Sequence, residues 1–523
     1  MNTFSDIRRL HHVAHVLARH DALVPREYLD GLPLRLRILR RLIGTREHDD
    51  GLASPGVRLA AALESLGPAT IKLGQVLATR PDLIGADVAR ALETLQDRLP
   101  PFSTEEAKAE IEASLARPLP ELFSSLSEPV AAASIAQVHI GETAEAEPRK
   151  VAVKVLRPHI HQDFAKDLSA FAFAARVAER YSVEARRLRL MAVVATLAES
   201  VALELDLRME GAAASELYEN TKSDSGFRVP QIDWTRTGGR VLTSEWIDGT
   251  PLRDVEALKA AGHDPKRIAV IVVQSFLTHA LRDGFFHADL HPGNLFVDVQ
   301  GRLVAVDFGI MGRLDPAMRR FLAETLGGFL SRDYRRVADV HFDAGFVPRS
   351  HPVDTFAQAL RAIGEPIFGR TARDVSMAKL LGQLFDTTYR FDMQAQPQLI
   401  LLQKTMVVVE GVARGLDPDF DIWETARPVV EKWMVAQIGP EARFREVTDG
   451  VNALGKLARD LPQLLRNAET VSAMLADGGM RLHPDTVRQI AEAQATRNRN
   501  TKIAIWIAAA ALVALAIVLL KVF

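Results

Sequence analysis

The sequence predicts a helix-rich α+β protein with two lobes, a smaller lobe built on a sheet and a larger helical lobe. Residues Val151–Lys154 (Val-Ala-Val-Lys) read as a strand that carries one lysine. Two polar motifs, His287–Asn294 and Asp307–Gly309, follow later in the chain at a fixed spacing. Leu and Ala are abundant, and aromatic residues make up only 6% of the 523 residues, which favours helices elsewhere.

The spacing of the two polar motifs indicates phosphoryl-transfer chemistry. An Asp followed by an Asn, and then by Asp-Phe-Gly, is the signature of protein kinases. Phosphoryl transfer needs a carboxylate that orients the attacking oxygen, and oxygen ligands that hold Mg²⁺ against the phosphates. We predict that Asp289 is catalytic and that Asn294 and Asp307 bind the metal. Residues 295–297 and 303–306 should form a hairpin that brings Asn294 and Asp307 to the same end. The predicted fold is therefore a two-lobed protein-kinase-like fold.

Two simpler interpretations of these motifs are disfavoured. The three polar residues could cap turns in separate loops, but the flanking His, Pro-Gly and Phe-Gly favour the catalytic interpretation. A zinc site at His287 and His291 is disfavoured because the chain has no cysteine and offers no third ligand at a suitable spacing.

The predicted strand before these motifs would supply the lysine that binds the α- and β-phosphates of a nucleotide. Lys154 alone could be an ordinary edge-strand lysine, but its order before Asp289 favours a catalytic role. The segment before it takes the place of a glycine-rich loop, yet no glycine lies between Pro129 and Gly141. Alanine and serine put Cβ atoms where glycine would let the backbone close over phosphates. The nucleotide-binding residues predicted here are Val130, Ala131, Ala132, Ala133, Ser134, Ile135, Ala136, Gln137 and Val138.

Two further parts of a nucleotide site are predicted. Residues 241–252 form a strand and a turn where a hinge would meet adenine, so Glu245 and Ile247 are predicted to contact the nucleotide. Lys154 also needs a helical carboxylate as its partner. Three candidates lie in the helical region 162–220, and the pattern does not choose among them: Glu204, Asp206 and Glu210.

The chain divides into five predicted segments. An N-terminal helical extension is followed by a small lobe with inserted helices, a helical large lobe, a polar stalk and one transmembrane helix. The last is an uncharged run of 18 residues that would span roughly 27 Å, close to the thickness of a hydrocarbon core. A buried core helix is the alternative. The predicted boundaries are 1–117, 118–250, 251–480, 481–502 and 503–520.

Charge and composition restrict the partners and the compartment. Arg497, Arg499 and Lys502 precede the apolar run, which predicts a catalytic domain on the cytoplasmic side of a membrane, the inner membrane if the source is bacterial. The net charge of −2 gives no basic field for nucleic acid. The absence of cysteine excludes disulfides and thiolate metal sites.

Taken together, the motifs resemble one known family. Lys72–Gln75, Ala131–Ser134, Glu204–Asp206, His287–Asn294 and Asp307–Gly309 occur in that order. They are similar to the motifs of the UbiB/AarF atypical kinase-like family, which is tied to ubiquinone biosynthesis. The resemblance covers about residues 30–440.

This resemblance implies roles that spacing alone does not give. The helix with Lys72 and Gln75 folds over the would-be peptide site, Lys72 approaches Glu204 and Asp206, and Glu210 pairs with Lys154. The alanine loop changes nucleotide preference. The implied cofactors are ATP (or ADP) and Mg²⁺, and the implied partners are the membrane bilayer and ubiquinone precursors or biosynthetic enzymes, with an oligomer also compatible. Bacterial relatives often end in two membrane helices, whereas this chain has one such segment.

Three functions are consistent with the sequence. The leading hypothesis is a membrane-anchored ATPase or atypical kinase that supports ubiquinone biosynthesis. A nucleotide-sensing scaffold without turnover is the second, motivated by the missing glycines. A true protein kinase is the third, and it is disfavoured because the segment after Gly309 is short and contains no Ala-Pro-Glu.

Overall fold

The computed structural model describes residues 3–22, 54–78, 84, 86–92, 95, 100–181, 186, 189–368, 387, 390–393 and 396–438. The predicted stalk (481–502) and transmembrane helix (503–520) lie outside the described residues. Among the helices that are described, none combines the length and apolar character needed to cross a bilayer.

Helices dominate the described residues, as the composition predicts. In chain order they are α1 (Thr3–Arg19), α2 (Pro55–Leu66), α3 (Pro68–Ala78), α4 (Ala86–Leu92), α5 (Thr104–Leu115), α6 (Leu119–Leu122), α7 (Ile160–Tyr181), α8 (Leu190–Glu204), α9 (Leu207–Thr221), α10 (Val255–Ala260), α11 (Pro265–Thr278), α12 (Pro316–Ser331), α13 (Tyr334–Asp343), α14 (Val353–Phe368), α15 (Pro397–Leu416) and α16 (Ile422–Ile438). A π-helical turn, His279–Asp283, extends α11.

The strands form two four-stranded sheets and one two-stranded pair. They are β1 (Phe123–Ala132), β2 (Ala136–Thr143), β3 (Lys150–Leu156), β4 (Phe227–Arg228), β5 (Val241–Glu245), β6 (Gly249–Pro251), β7 (Phe285–His287), β8 (Leu295–Asp298), β9 (Leu303–Ala305) and β10 (Met311–Arg313). The small lobe contains the antiparallel sheet β1-β2-β3-β5. The large lobe contains the sheet β4-β9-β8-β6 and the pair β10-β7. β4 and most of β6, which lie within the range predicted for the small lobe, thus belong to the sheet of the large lobe.

The register of the small-lobe sheet assigns its two faces. Val138 lies opposite Lys154, and Gln137 lies opposite Val155. Since successive side chains of a strand point to opposite faces, Val138 and Lys154 share one face while Gln137 and Val155 share the other. Val155 packs in an apolar cluster with Ile111 of α5. We call the face with Lys154 the cleft face and the face covered by α5 the outer face.

Local signals fix where the covering helices begin. Ser103 accepts a hydrogen bond from the Glu106 N–H, and the Glu106 side chain accepts one from the Ser103 N–H, so a reciprocal capping box starts α5. Pro68 begins α3, as its position predicts. Ala69 of α3 shares an apolar cluster with Phe164 of α7 and with Ala136 of β2. The N-terminal extension therefore packs directly on the small lobe.

The large lobe confirms two local predictions. β8 and β9 pair as an antiparallel hairpin, and the Val306 N–H donates to the Asn294 carbonyl at 2.9 Å, so the ends that carry Asn294 and Asp307 meet. A helix resumes soon after Gly309, because Asp315 accepts a hydrogen bond from the Met318 N–H at 2.7 Å and caps α12. The described chain has only the short strand β10 between these points.

A polar cluster ties the end of α9 to the large lobe. Asp224 accepts hydrogen bonds from both terminal nitrogens of Arg282, at 2.6 and 3.0 Å, and lies 3.4 Å from His279 Nε2. Arg282 also donates to the Asn220 carbonyl. Burial alone would raise the pKa of Asp224, but the nearby His279 ring and the hydrogen bonds from Arg282 outweigh it and lower that pKa to about 2. The ionised carboxylate is thus favoured by folding.

We expect Asp224→Asn to lower the free energy of unfolding at pH 7 by about 1 to 2 kcal/mol, because one pKa unit is worth about 1.4 kcal/mol and partial solvent access reduces the effect. A carboxylate whose pKa falls on folding stabilises the protein above its unfolded pKa of about 4 and loses that contribution as the pH falls toward 2. Urea unfolding between pH 7 and 3 should therefore show the two proteins converging below about pH 4. Glu219→Gln, which removes an exposed pair with Lys222, is the control. An equal loss for both variants would contradict the prediction.

Candidate functional site

The centre of the site is a contact between one lysine and two carboxylates. Lys154 Nζ lies 2.8 and 2.9 Å from the two carboxylate oxygens of Glu210, and 3.3 Å from Asp307 Oδ1. Lys154 comes from β3, Glu210 from the first turn of α9, and Asp307 from the residues after β9. Lys154 and Glu210 are largely buried, whereas 48% of the Asp307 side chain is exposed. The small-lobe lysine and the Asp-Phe-Gly aspartate, far apart in sequence, therefore meet.

The charges in this centre set each other's ionisation. Burial would lower the pKa of Lys154, but the carboxylates of Asp307 and Glu210 raise it above its usual value, so the ammonium form is retained. The Lys154 ammonium lowers the pKa of Asp307 and keeps it ionised. Burial raises the pKa of Glu210 despite the opposing effect of Lys154. Glu210 therefore pairs with the Lys154 ammonium, but burial of the Glu210 carboxylate away from water opposes its ionisation.

The three carboxylates that the sequence left open have separate places. Glu204 ends α8, and its carboxylate lies 2.9 Å from Lys72 Nζ in a largely buried ion pair. Asp206 caps α9 by accepting a hydrogen bond from the Arg208 N–H, and its carboxylate pairs with the Arg208 side chain. Glu210 is the residue that contacts Lys154, as the family resemblance implies. Gln75 lies on α3, the same helix as Lys72, and also interacts with other groups of the protein.

The second polar motif places Asp289 and Asn294 side by side. The amide nitrogen of Asn294 donates to the Asp289 carbonyl at 3.1 Å and lies 3.3 Å from Asp289 Oδ2. Asn294 is buried, while 42% of the Asp289 side chain is exposed. Asp289 is therefore fixed in orientation by its neighbour and still open to a reactant.

His287 forms hydrogen bonds that hold this loop in place. Its Nδ1 accepts a hydrogen bond from the Asp289 N–H at 3.0 Å, and its Nε2 lies 3.2 Å from the Val306 carbonyl. Since a carbonyl only accepts, Nε2 carries the proton, and burial lowers the pKa of His287 and keeps the ring neutral. One neutral imidazole thus links the loop His287–Asn294 to the segment that leads into Asp307. His291 is half-exposed, and its Nε2 lies 3.7 Å from Asp289 Oδ2.

Thr405, to which the sequence assigned no role, also contacts this loop. The buried hydroxyl of Thr405, in α15, donates to the Ala288 carbonyl at 3.1 Å. The two residues are 117 positions apart. A threonine in an apolar helix is the only signal for this contact in the sequence, and such a residue usually bonds its own helix, as Thr405 also does with Leu401.

The donor set fits Mg²⁺ better than a metal that needs a complete protein cage. Within the described residues, no group of three or more His, Cys, Asp or Glu side chains is placed to hold a metal ion. Mg²⁺ typically binds one or two carboxylates together with waters and substrate phosphates. Asn294 directs its amide nitrogen to Asp289, which leaves its oxygen Oδ1 as the ligand atom, and Asp307 offers a half-exposed carboxylate. These two residues could hold the ion between them and a phosphate.

The alanine-rich segment forms the turn between β1 and β2. The Ala133 N–H donates to the Ala136 carbonyl at 2.8 Å and closes the turn. Val130 is half-exposed, whereas the Ser134 side chain is buried and its hydroxyl has no hydrogen-bond partner among the described residues. Gln137 points to the outer face, so its side chain lies on the opposite side of the sheet from Lys154. Ala132 lies directly opposite Gln137 and shares its face, so the structure turns both of these predicted loop residues away from the cleft.

The predicted hinge is tied to the large lobe. The Glu245 carboxylate pairs with Arg228 of β4, and the Glu245 N–H donates to the Gln231 carbonyl at 2.8 Å. Ile247 is nearly buried, with 9% of its surface exposed. A nucleotide base that bound the Glu245 N–H would have to displace the Gln231 carbonyl. Contact of the base with the carbonyl oxygen of Glu245 is therefore more compatible with the structure.

Known proteins are similar to this chain over most of its length. The family model of the ABC1 atypical kinase-like domain matches residues 94–341, and that of the UbiB helical domain matches residues 360–421. A Marinobacter nauticus protein named "Probable protein kinase UbiB" is 42% identical over 469 residues, which is 88% of this chain and 85% of the relative. A solved structure of a Mycobacterium tuberculosis protein in complex with erythromycin aligns with a TM-score of 0.48 and 24% identity, covering 70% of this chain and 93% of that one.

Proposed function

Since this chain belongs to the UbiB-type family of ABC1 atypical kinase-like proteins, we propose that it is an atypical kinase or ATPase that uses ATP and Mg²⁺ to support ubiquinone biosynthesis. The observation that carries the proposal is the joint contact of Lys154 with Glu210 and Asp307. Kinases need the lysine–glutamate ion pair and the metal-binding aspartate in place at the same time.

Each residue of the site has a role in this proposal. Lys154 binds the α- and β-phosphates, and Glu210 holds its ammonium in place. Asp289, oriented by Asn294 and His287, accepts or directs the proton of the attacking hydroxyl or water. Bound Mg²⁺ neutralises the charge of the phosphates. Asp307 and Asn294 would supply its protein ligands.

The C-terminal segment and the family of the chain indicate a location and partners for the protein. The basic residues and the uncharged run at 503–520 support a protein that is anchored in the bacterial inner membrane. Its catalytic domain would then lie in the cytoplasm. Its partners would then be the lipid bilayer and either ubiquinone precursors or the enzymes that modify them. The UbiB name of the Marinobacter nauticus relative supports this pathway.

A nucleotide-sensing scaffold is the second candidate, and one observation favours it. The turn between β1 and β2 contains alanines and a buried Ser134 where glycines would let the backbone approach phosphates. Stoichiometric ATP binding without phosphate release would support this candidate. A conventional protein kinase fits less well, because only β10 lies between Gly309 and the helix that starts at Pro316.

The proposed pathway is tested by quinone profiling of cells that lack the protein. We expect the wild-type gene to restore the ubiquinone content and Asp289→Asn to leave it at about a tenth or less of that level, since removal of a catalytic acid or base costs about 100-fold or more. Asp163→Asn, at an exposed pair with Lys166, is the matched control and should complement fully. Equal amounts of each variant must be confirmed by immunoblot. Unchanged ubiquinone in the deleted strain would reject the pathway, and full rescue by Asp289→Asn would reject the chemistry.

A further inference from the structure

A short strap of the N-terminal extension crosses the outer face of the small-lobe sheet. We define the strap as residues Pro100–Phe102, just before the capping residue Ser103 of α5. Phe102 is partly buried against the cluster that α5 forms with β3. The strap therefore lies behind the sheet, on the side opposite Lys154.

Gln137 binds the strap as a neighbouring strand would. Its oxygen Oε1 accepts a hydrogen bond from the Phe102 N–H at 2.9 Å, and its Nε2 donates to the Phe102 carbonyl at 3.2 Å. Gln137 Nε2 also lies 2.9 Å from Nε2 of the fully buried His139, whose Nδ1 contacts the Ser127 carbonyl at 2.7 Å. A side chain that looked like a nucleotide ligand in the sequence is thus occupied by the strap.

Arg157 joins the strap to the turn between β1 and β2. Its Nη2 donates to the Pro100 carbonyl at 2.8 Å and to the Ala133 carbonyl at 2.9 Å, and its Nε lies 3.3 Å from the same Ala133 oxygen. The guanidinium also lies over the Phe102 ring, 5.7 Å from its centroid. In addition, the backbone N–H of Arg157 donates to the Ile135 carbonyl at 2.8 Å. One residue therefore holds two of the three carbonyls in the turn Ala133–Ile135.

This arrangement determines where the donors of the turn point. The C=O and the N–H of one peptide unit point in opposite directions, because the unit is planar and trans. When Arg157 holds the Ala133 carbonyl toward the strap, the N–H of Ser134 is directed to the other side. Backbone N–H groups of such a turn are what bind the phosphates of a nucleotide.

We propose that Arg157 is a positioning residue that, from the strap side of the turn Ala133–Ile135, fixes the Ser134 N–H toward the phosphates of a bound nucleotide. The inference rests on the proposed nucleotide-binding function. A glycine-rich loop has enough backbone freedom to adapt its N–H groups to the phosphates, whereas an alanine turn has less. The alanine turn therefore needs a residue such as Arg157 to hold it in the binding conformation. Arg157 also couples the N-terminal extension to the nucleotide through the strap.

The test compares a ligand that has phosphates with one that lacks them. Full-length protein is titrated calorimetrically with Mg-ATP and with adenosine, for the wild type and for Arg157→Ala, Arg157→Lys and Arg149→Ala. Arg149 is an exposed arginine beside the opposite end of β3, paired with Glu145 and Asp233. It controls for the loss of an arginine near the same sheet.

We expect Arg157→Ala to weaken Mg-ATP binding about tenfold, the loss expected for roughly one charge-assisted hydrogen bond. Adenosine affinity should stay within about twofold, because adenosine does not reach the turn. Arg157→Lys has one donor group instead of a fork and should recover only part of the Mg-ATP affinity. Arg149→Ala should bind both ligands like the wild type.

The outcomes separate the inference from the function on which it rests. Equal loss of Mg-ATP and adenosine affinity in Arg157→Ala would overturn the positioning role, and so would wild-type affinity for Mg-ATP in that variant. Should Arg157→Ala not fold, the same comparison made with Arg157→Lys decides between these outcomes. A wild-type protein that binds neither ligand would overturn the proposed nucleotide function itself.

Discussion

Asp307→Asn is expected to lower Mg²⁺-dependent ATP turnover by roughly 100-fold or more, because the substitution removes the anionic oxygen that would hold the metal against the phosphates. It also removes the carboxylate that pairs with Lys154 at 3.3 Å. The variant should nevertheless fold. Asp307 has a φ of +62°, and Asn is one of the few residues that tolerates this left-handed conformation as well as Asp does.

Phosphate release by purified full-length protein at saturating ATP and Mg²⁺ measures this effect, with Asp163→Asn as the control that changes the same functional group at an exposed site. Thermal unfolding of both variants should match the wild type within a few degrees. Turnover within threefold of the wild type would show that Asp307 is not a metal ligand. Wild-type turnover that does not depend on Mg²⁺ would exclude the proposed metal-dependent mechanism.

The parts of the site that the sequence predicts well are those set by local geometry. Asn294 and Asp307 flank one short hairpin, so their separation along the chain determines that they meet. The start of α12 follows in the same way from Asp315 and Pro316. In each case the interacting residues lie within about a dozen positions of one another, and strand pairing or helix capping is enough to place them.

The partner of Lys154 could not be chosen by pattern because a helix break decides it. α8 ends at Glu204 and α9 begins at Leu207, so the three candidate carboxylates lie on two helices and at the cap between them. Apolar residues recur at every second position from Val201 to Met209, so helical periodicity does not show which of the three carboxylates faces the sheet. Glu210 reaches Lys154 from 56 positions away, and only the packing of α9 against the sheet determines that contact.

Strand register explains a second limit. Gln137 and Val138 are neighbours in the predicted nucleotide loop, yet one side chain lies on the outer face and the other on the cleft face. A shift of the turn by one residue would exchange them. The turn position depends on Ala133 and Ile135, whose carbonyls bond to Arg157, and this long-range contact has no signature in the sequence.

The loop His287–Asn294 also depends on a glycine that no sequence motif identified. Gly284 ends the π-helical turn and has a φ of +65°. A Cβ atom there would lie 2.4 Å from the Leu314 carbonyl oxygen and 2.9 Å from Arg319 Cδ. The backbones approach closely because the Leu314 N–H donates to the Gly284 carbonyl at 2.8 Å, where β7 and β10 pair. β7 then leads directly to His287.

Gly284→Ala is therefore expected to lower the free energy of unfolding by about 3 kcal/mol, with about 1 kcal/mol from the left-handed backbone and the rest from the clash. Urea unfolding measures the loss. Gly345→Ala isolates the first part, since Gly345 has a φ of +72° but a Cβ atom there would meet no described atom within 4 Å. A difference of about 2 kcal/mol between the two variants is the share of the contact with Leu314. If both variants lost the same free energy of unfolding, the close approach of Gly284 to Leu314 would not stabilise β7, the strand that carries His287. The position of Asp289 would then depend on Thr405 and the hairpin alone.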